Sequence, residues 1–224
     1  YFKVSEKPAS ELSPIEKVFL LKNFFLCRRE TMILPYPFYL RLLNKRGTRA
    51  GINLEKSARE FSDQDFLDLQ VWFNLAWFGF SALKEYPDLA ELKRKARNFT
   101  EEDKSYVLKL QMEILRKLLL LYQELWNQGR LEISTTPFYH PILPLLCDSD
   151  IARETSPNIS LPPRFSHPED ARAQLKTGLD YMESVFGKRP TGLWPSESAV
   201  SDQALRIVAE QGLKWVVACE QMIK

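Results

Sequence analysis

A strand–helix–strand–helix–strand rhythm in the second half of the chain predicts an α/β fold on a parallel sheet, with a large helical segment on its N-terminal side. Three observations carry this. Residues 1–128 show helical periodicity and almost no strand signal. From Arg130 the apolar period changes to the alternation of a strand. Beyond it, short β-rich runs and helical stretches succeed one another without a break long enough for a linker.

Ser13-Pro14 opens the first clear helix, through Val18, Leu21 and Phe25, with serine as cap and proline in the first turn. Ser62-Asp63-Gln64-Asp65 caps another, whose Phe66, Leu69, Phe73 and Trp77 share a face. Trp72, Trp77 and Phe80 are assigned to its core, and Lys93, Arg94, Lys95 and Arg97 to a solvated face. Thr100-Glu101-Glu102-Asp103 has the form of a capping box. After it Val107, Leu110, Ile114, Leu118, Leu121 and Leu125 keep helical spacing until Gly129. Leu131 to Thr135 then reads as a strand, Glu169 to Val185 as a helix, and Thr191 to Trp194 as a strand that Pro195 ends. Ser201-Asp202 caps a helix to about Gln211, and Leu213 to Ala218 reads as the third strand. The expected organisation is a helical cap or insertion over 1–128 and βα units over 129–224, in one structural domain.

The composition narrows the function. Lys and Arg total 31 against 29 Asp and Glu, a net charge of +2, so nothing draws the chain to nucleic acid or an anionic membrane. No apolar run approaches the ~20 residues of a membrane span. Cys27, Cys147 and Cys219 are far apart and odd in number, which argues against a disulfide framework or a cysteine zinc site and for a reducing, cytoplasmic compartment. His140 and His167 have no zinc-ligand spacing, and the eight glycines form no phosphate-binding loop. Neither a metal nor a cofactor is expected.

Two polar clusters are expected where strands end: Glu132 with Thr135, Thr136 and His140, and Glu197 beside Trp194. On one edge of a parallel sheet, two carboxylates, an imidazole and an indole would suit a carbohydrate site, because carboxylates work at the anomeric carbon and an indole packs on sugar C–H groups. The same residues also fit plain roles. Glu132 can be a solvated strand carboxylate, Glu197 a favourable charge before a helix N-terminus, and His140 a hydrogen-bonded loop histidine.

GRLEISTTPFYHPILPLL and GLWPSESAVS resemble two signature stretches of glycoside hydrolase family 57, the α-amylase, amylopullulanase and α-glucan transferase family. MILPYPFYLRLLNKRG and FSDQDFLDLQVWFNLAWFG resemble the helical insertion of its amylase-like members, RFSHPEDARAQLKTGLDYMESVFGKRP and GLKWVVACE resemble stretches of its catalytic domain, and the likeness covers nearly the whole chain. It implies part of an incomplete (β/α)7 barrel and retaining hydrolysis or transfer on α-glucans. Glu197 matches the nucleophile, and Glu132 and His140 match residues lining the donor sugar site, with Trp194 beside the nucleophile. The partner implied is an α-glucan or maltooligosaccharide.

The departures shape the expectation. The family's His-Gln-Pro motif has no counterpart here, its acid/base aspartate belongs to a later strand, and VVACEQ stands where many relatives carry Thr-Asp-Glu. The chain therefore reads as an internal fragment, truncated at both ends, with the nucleophile but without the acid, and little turnover of its own. Two alternatives stay open: a metal-dependent polysaccharide deacetylase-like barrel, and a non-catalytic glucan-binding domain.

Overall fold

Short polar side chains set the helix starts in the computed structural model, which describes residues 1–49 and 51–219. Ser13 Oγ accepts from the backbone N–H of Glu16, and the Glu16 carboxylate accepts from Ser13 N at 2.8 Å, which closes a capping box at the head of α1 (Pro14–Asn23). α2 (Pro37–Arg46) and α3 (Leu54–Glu60) follow. Ser62 and Asp65 form the same reciprocal pair at the start of α4 (Asp63–Leu75). α5 (Pro87–Lys95) ends at Ala96 in a left-handed conformation. Thr100 and Asp103 exchange cap bonds at the start of α6 (Glu101–Asn127).

The chain divides into two units, Tyr1–Leu118 and Leu119–Lys224. The first has an aromatic core around Trp72, which is fully buried and packs its ring against Tyr36, Tyr39 and Phe99. Its indole N–H donates to the Ala96 carbonyl at 2.8 Å, so the one polar atom of the ring is satisfied. Trp77 and Phe80 depart from the core expected of them, at 57% and 93% exposed. The reason is local: α4 stops at Leu75, so Trp77 has left the face that Phe66 and Leu69 define. The stripe on α6 is likewise covered only in part. Val107 and Leu110 are buried, whereas Leu118 and Leu121 are exposed, because the first unit's core reaches no further along the helix than Ile114.

The second unit carries a three-stranded parallel sheet in the order β1 (Ser134–Thr135), β2 (Gly192–Leu193), β3 (Trp215–Val216). Ser134 pairs with Gly192 and Gly192 with Trp215; Thr135 pairs with Leu193 and Leu193 with Val216. The strands are shorter than their sequence runs. Pro195, which cannot donate to a ladder, stops β2 at its far end, whereas β1 is shortened at its start, with residues 131–133 outside the ladder. Helices α7 (Leu143–Cys147), α8 (Pro168–Phe186) and α9 (Asp202–Glu210) pack in the same unit.

One face of this sheet is covered. Leu193 is fully buried among Leu175, Leu179, Ile207 and Val208, and burying one such leucine contributes ~2 kcal/mol. The opposite face carries Ser134, Gly192 and Trp215. The described residues thus hold a mostly helical α/β chain with a small parallel sheet. Glu220 and Gln221 of VVACEQ lie outside them.

Candidate functional site

Beyond β2 the chain runs through Trp194 and Pro195 into a 3-10 turn, Ser196–Ser198. Trp194 N–H donates to the Thr135 carbonyl at 2.8 Å, so pairing continues one residue past the strand. Glu197 and Ser198 then both adopt positive φ, +56° and +55°, a conformation costing about 1–3 kcal/mol for each non-glycine residue. Ser198 N donates to Pro195 O at 2.9 Å and Ala199 N to Ser196 O at 3.1 Å. Ser196 is buried, with a hydroxyl that has no hydrogen-bond partner among the described residues. The turn anchors one serine inward and holds Glu197 outward, its side chain 72% exposed.

The loop after β1 delivers His140 to the same edge. It is fixed from α8: Phe138 N donates to the Gln174 carbonyl at 3.2 Å and Tyr139 N to Gln174 Oε1 at 2.9 Å. Helix and loop come close because residue 178 is glycine; a Cβ there would stand 3.0 Å from Thr136 O. His140 has φ +57°, with its N–H on Pro137 O. His140 Nε2 and Glu197 Oε1 are 3.9 Å apart, within ion-pair range though longer than a hydrogen bond. Trp194, half exposed, precedes Glu197 by three residues.

Glu132 is not part of that edge. The sequence reading groups it with His140, but it precedes β1, three residues or ~10 Å of extended chain before Thr135. Its Oε1 accepts from Thr191 Oγ1 at 2.7 Å and from Trp215 Nε1 at 2.9 Å. These two bonds, the threonine's first, hold its carboxyl below the ordinary range. The geometric reason is strand direction: in a parallel sheet, residues ahead of the strands gather at the opposite end from those behind them. Sequence reasoning missed Thr191, Gly192 and Trp215. A glycine inside a short strand was the available signal, since it marks close approach by another group.

An exposed carboxylate held in a strained turn, faced by an imidazole and preceded by an indole, can offer a nucleophile or base with a hydrogen-bonding neighbour and a flat apolar surface. Among the described residues no three His, Cys, Asp or Glu side chains cluster as metal ligands would. Also among them, no helix is long and apolar enough to cross a membrane. The three cysteines are free thiols.

These features define an α/β protein whose candidate chemistry sits at the carboxyl ends of parallel strands. The chain belongs to glycosyl hydrolase family 57, whose model matches residues 21–221. It is 26% identical over 91 residues to alpha-amylase 1 of Dictyoglomus thermophilum, an alignment covering 41% of this chain and 10% of that protein. The match thus spans about a tenth of that relative's length. No solved structure matches.

Proposed function

We propose that this chain is part of a retaining glycoside hydrolase or glycosyltransferase acting on α-glucans, with Glu197 as the nucleophile. The observation that carries the reading is the juxtaposition of Glu197, outward in its strained turn, with His140 at 3.9 Å. Family membership supports it. The positive φ at Glu197 and Ser198 carries a cost that the surrounding turn must offset, as strained backbone at functional sites does.

In this mechanism Glu197 attacks the anomeric carbon, the glycosidic bond breaks, and a glycosyl-enzyme ester forms. Retention requires a second carboxyl ~5–5.5 Å from the first to protonate the leaving oxygen and then activate water or an acceptor sugar. We assign that acid/base to a residue outside positions 1–224. His140 hydrogen-bonds sugar hydroxyls beside the nucleophile, and Trp194 packs on the ring. Glu132, held by Thr191 and Trp215 at the other end of the strands, has no direct contact with the donor sugar in this reading. No metal or cofactor takes part, and we place the protein in the cytoplasm. A deacetylase-type metal centre has no candidate ligand cluster among the described residues.

The test is turnover of a maltooligosaccharide by the full-length protein, with the anomer of the product followed directly. Wild type should release product with retained configuration, and Glu197→Ala should lose several orders of magnitude, on the order of 10⁴ or more. Unchanged activity in Glu197→Ala would return the residue to an ordinary surface carboxylate.

A further inference from the structure

The uncovered face of the sheet holds a second constructed feature, away from the Glu197–His140 edge. At Gly192 a Cβ would stand 2.1 to 2.4 Å from atoms of the Trp215 six-membered ring. The indole therefore lies directly on the backbone of β2, in a space that no other residue type leaves free. One end of the ring is also fixed: Trp215 Nε1 donates to Glu132 Oε1 at 2.9 Å, and the same oxygen takes the Thr191 hydroxyl at 2.7 Å. Three strands contribute to one arrangement, since Glu132 leads into β1, Thr191 leads into β2, Gly192 starts β2 and Trp215 starts β3. The ring nevertheless remains 37% exposed. Side-chain alternation puts Trp194, two residues after Gly192, on this same face.

A tryptophan immobilised at its N–H, backed by a glycine and left open on its outer side has the properties of a stacking surface. Its apolar face is presented without the rotamer entropy that a free side chain would lose on contact. Its one donor is already occupied, so it selects a partner with a flat apolar face, and the C–H face of a pyranose is such a partner. Resting on the α-glucan reading above, we propose that Trp215 is a sugar-stacking platform for the glucan chain and that Glu132 is its positioning residue, acting on the substrate through the indole. Glu132 bonds the indole and Thr191 through Oε1 alone.

The arrangement separates a positioning role from a charged contact with the sugar. Glutamine keeps a side-chain oxygen that accepts both bonds but has no charge. Alanine has neither. In a Glu197→Gln background, which removes turnover, binding of maltoheptaose to the full-length protein is measured by titration calorimetry. Trp215→Ala should weaken binding about 10- to 100-fold and Trp215→Phe, which keeps a ring but loses the donor to Glu132, by about tenfold. Glu132→Ala should cost about tenfold, with Glu132→Gln within about threefold of the parent, and Glu132→Ala should add less than about twofold once Trp215 is alanine. Near-ultraviolet circular dichroism should show the tryptophan signal changed by Glu132→Ala and kept by Glu132→Gln.

Parent-like affinity in Trp215→Ala would overturn the platform. A loss in Glu132→Gln as large as in Glu132→Ala, or an undiminished Glu132 effect without the indole, would overturn the positioning role. Trp215→Phe keeps the test meaningful should the alanine variant unfold. The nucleophile assignment stands or falls separately, on Glu197→Ala turnover in the otherwise wild-type protein.

Discussion

Glu197 Oε1 lies 3.9 Å from His140 Nε2, and each of the two residues sits in a left-handed backbone conformation on its own loop at the carboxyl edge of the sheet. Neither loop owes its shape to glycine at that position. Each is held by backbone bonds, Ser198 N and Ala199 N in one turn and Phe138 N and Tyr139 N on Gln174 in the other. The pair is thereby pre-positioned rather than gathered by a ligand.

If the pair works as a unit, His140→Ala lowers kcat on a maltooligosaccharide in the full-length protein by about 100-fold, the scale for one lost donor beside a reacting centre. The fold should be intact, since His140 is exposed. Steady-state kinetics with a thermal-unfolding control checks this, and unchanged kcat would separate His140 from the chemistry.

Gly178→Val tests how α8 positions the same loop. The modest clearance at Thr136 O means the loop must move outward, and about 1–3 kcal/mol of stability should be lost. Activity should fall further than stability explains, because the displaced loop carries His140. Parallel denaturant titration and kinetics give both numbers.

Gly192→Ala should expel the Trp215 ring from its seat and break its bond to Glu132, since the new Cβ would overlap the indole. The expected result is a changed near-ultraviolet tryptophan signal with a stability loss of about 1–3 kcal/mol. An unaltered spectrum would mean that the ring and the strand do not touch.

At low pH the first unit should loosen through its caps. Lys7 and the Ser13 backbone and hydroxyl hold the Glu16 carboxyl down to about 2 from its ordinary 4.5. The folded state therefore favours the ionised form. This contribution is complete above the ordinary value and disappears as pH falls from about 4.5 through about 2. Glu16→Gln should flatten that part of a stability–pH curve, measured by denaturant unfolding at each pH.

Local rules were the most legible part of the sequence. Ser13, Ser62 and Thr100 cap helices because a short side-chain oxygen meets an orphan N–H whatever the rest of the fold does. The parallel direction of the three strands followed from the alternation with helices. Longer-range facts were less legible. Trp77 reads as core by spacing, but a helix that ends two residues earlier cancels the spacing argument. Leu118 and Leu121 belong to an unbroken apolar stripe, and periodicity carries no information about where a neighbouring core stops. Around the site, Glu197 and His140 come together as their positions after β2 and β1 imply. Glu132 was grouped with them by closeness in sequence, although Thr135 and the rest of β1 stand between. Its partners come from the lead-in to β2 (Thr191) and from β3 (Trp215), and only the strand register brings the three together.

The central claim is that Glu197 forms a covalent bond to the sugar. The most direct measurement is mass spectrometry of the full-length protein after incubation with a fluorinated glucosyl fluoride that forms the ester but hydrolyses it slowly. The account predicts one added glycosyl group per chain, mapped by proteolysis to the peptide containing Glu197 and absent from Glu197→Gln. A label mapped to another residue, or labelling that persists in Glu197→Gln, would contradict it.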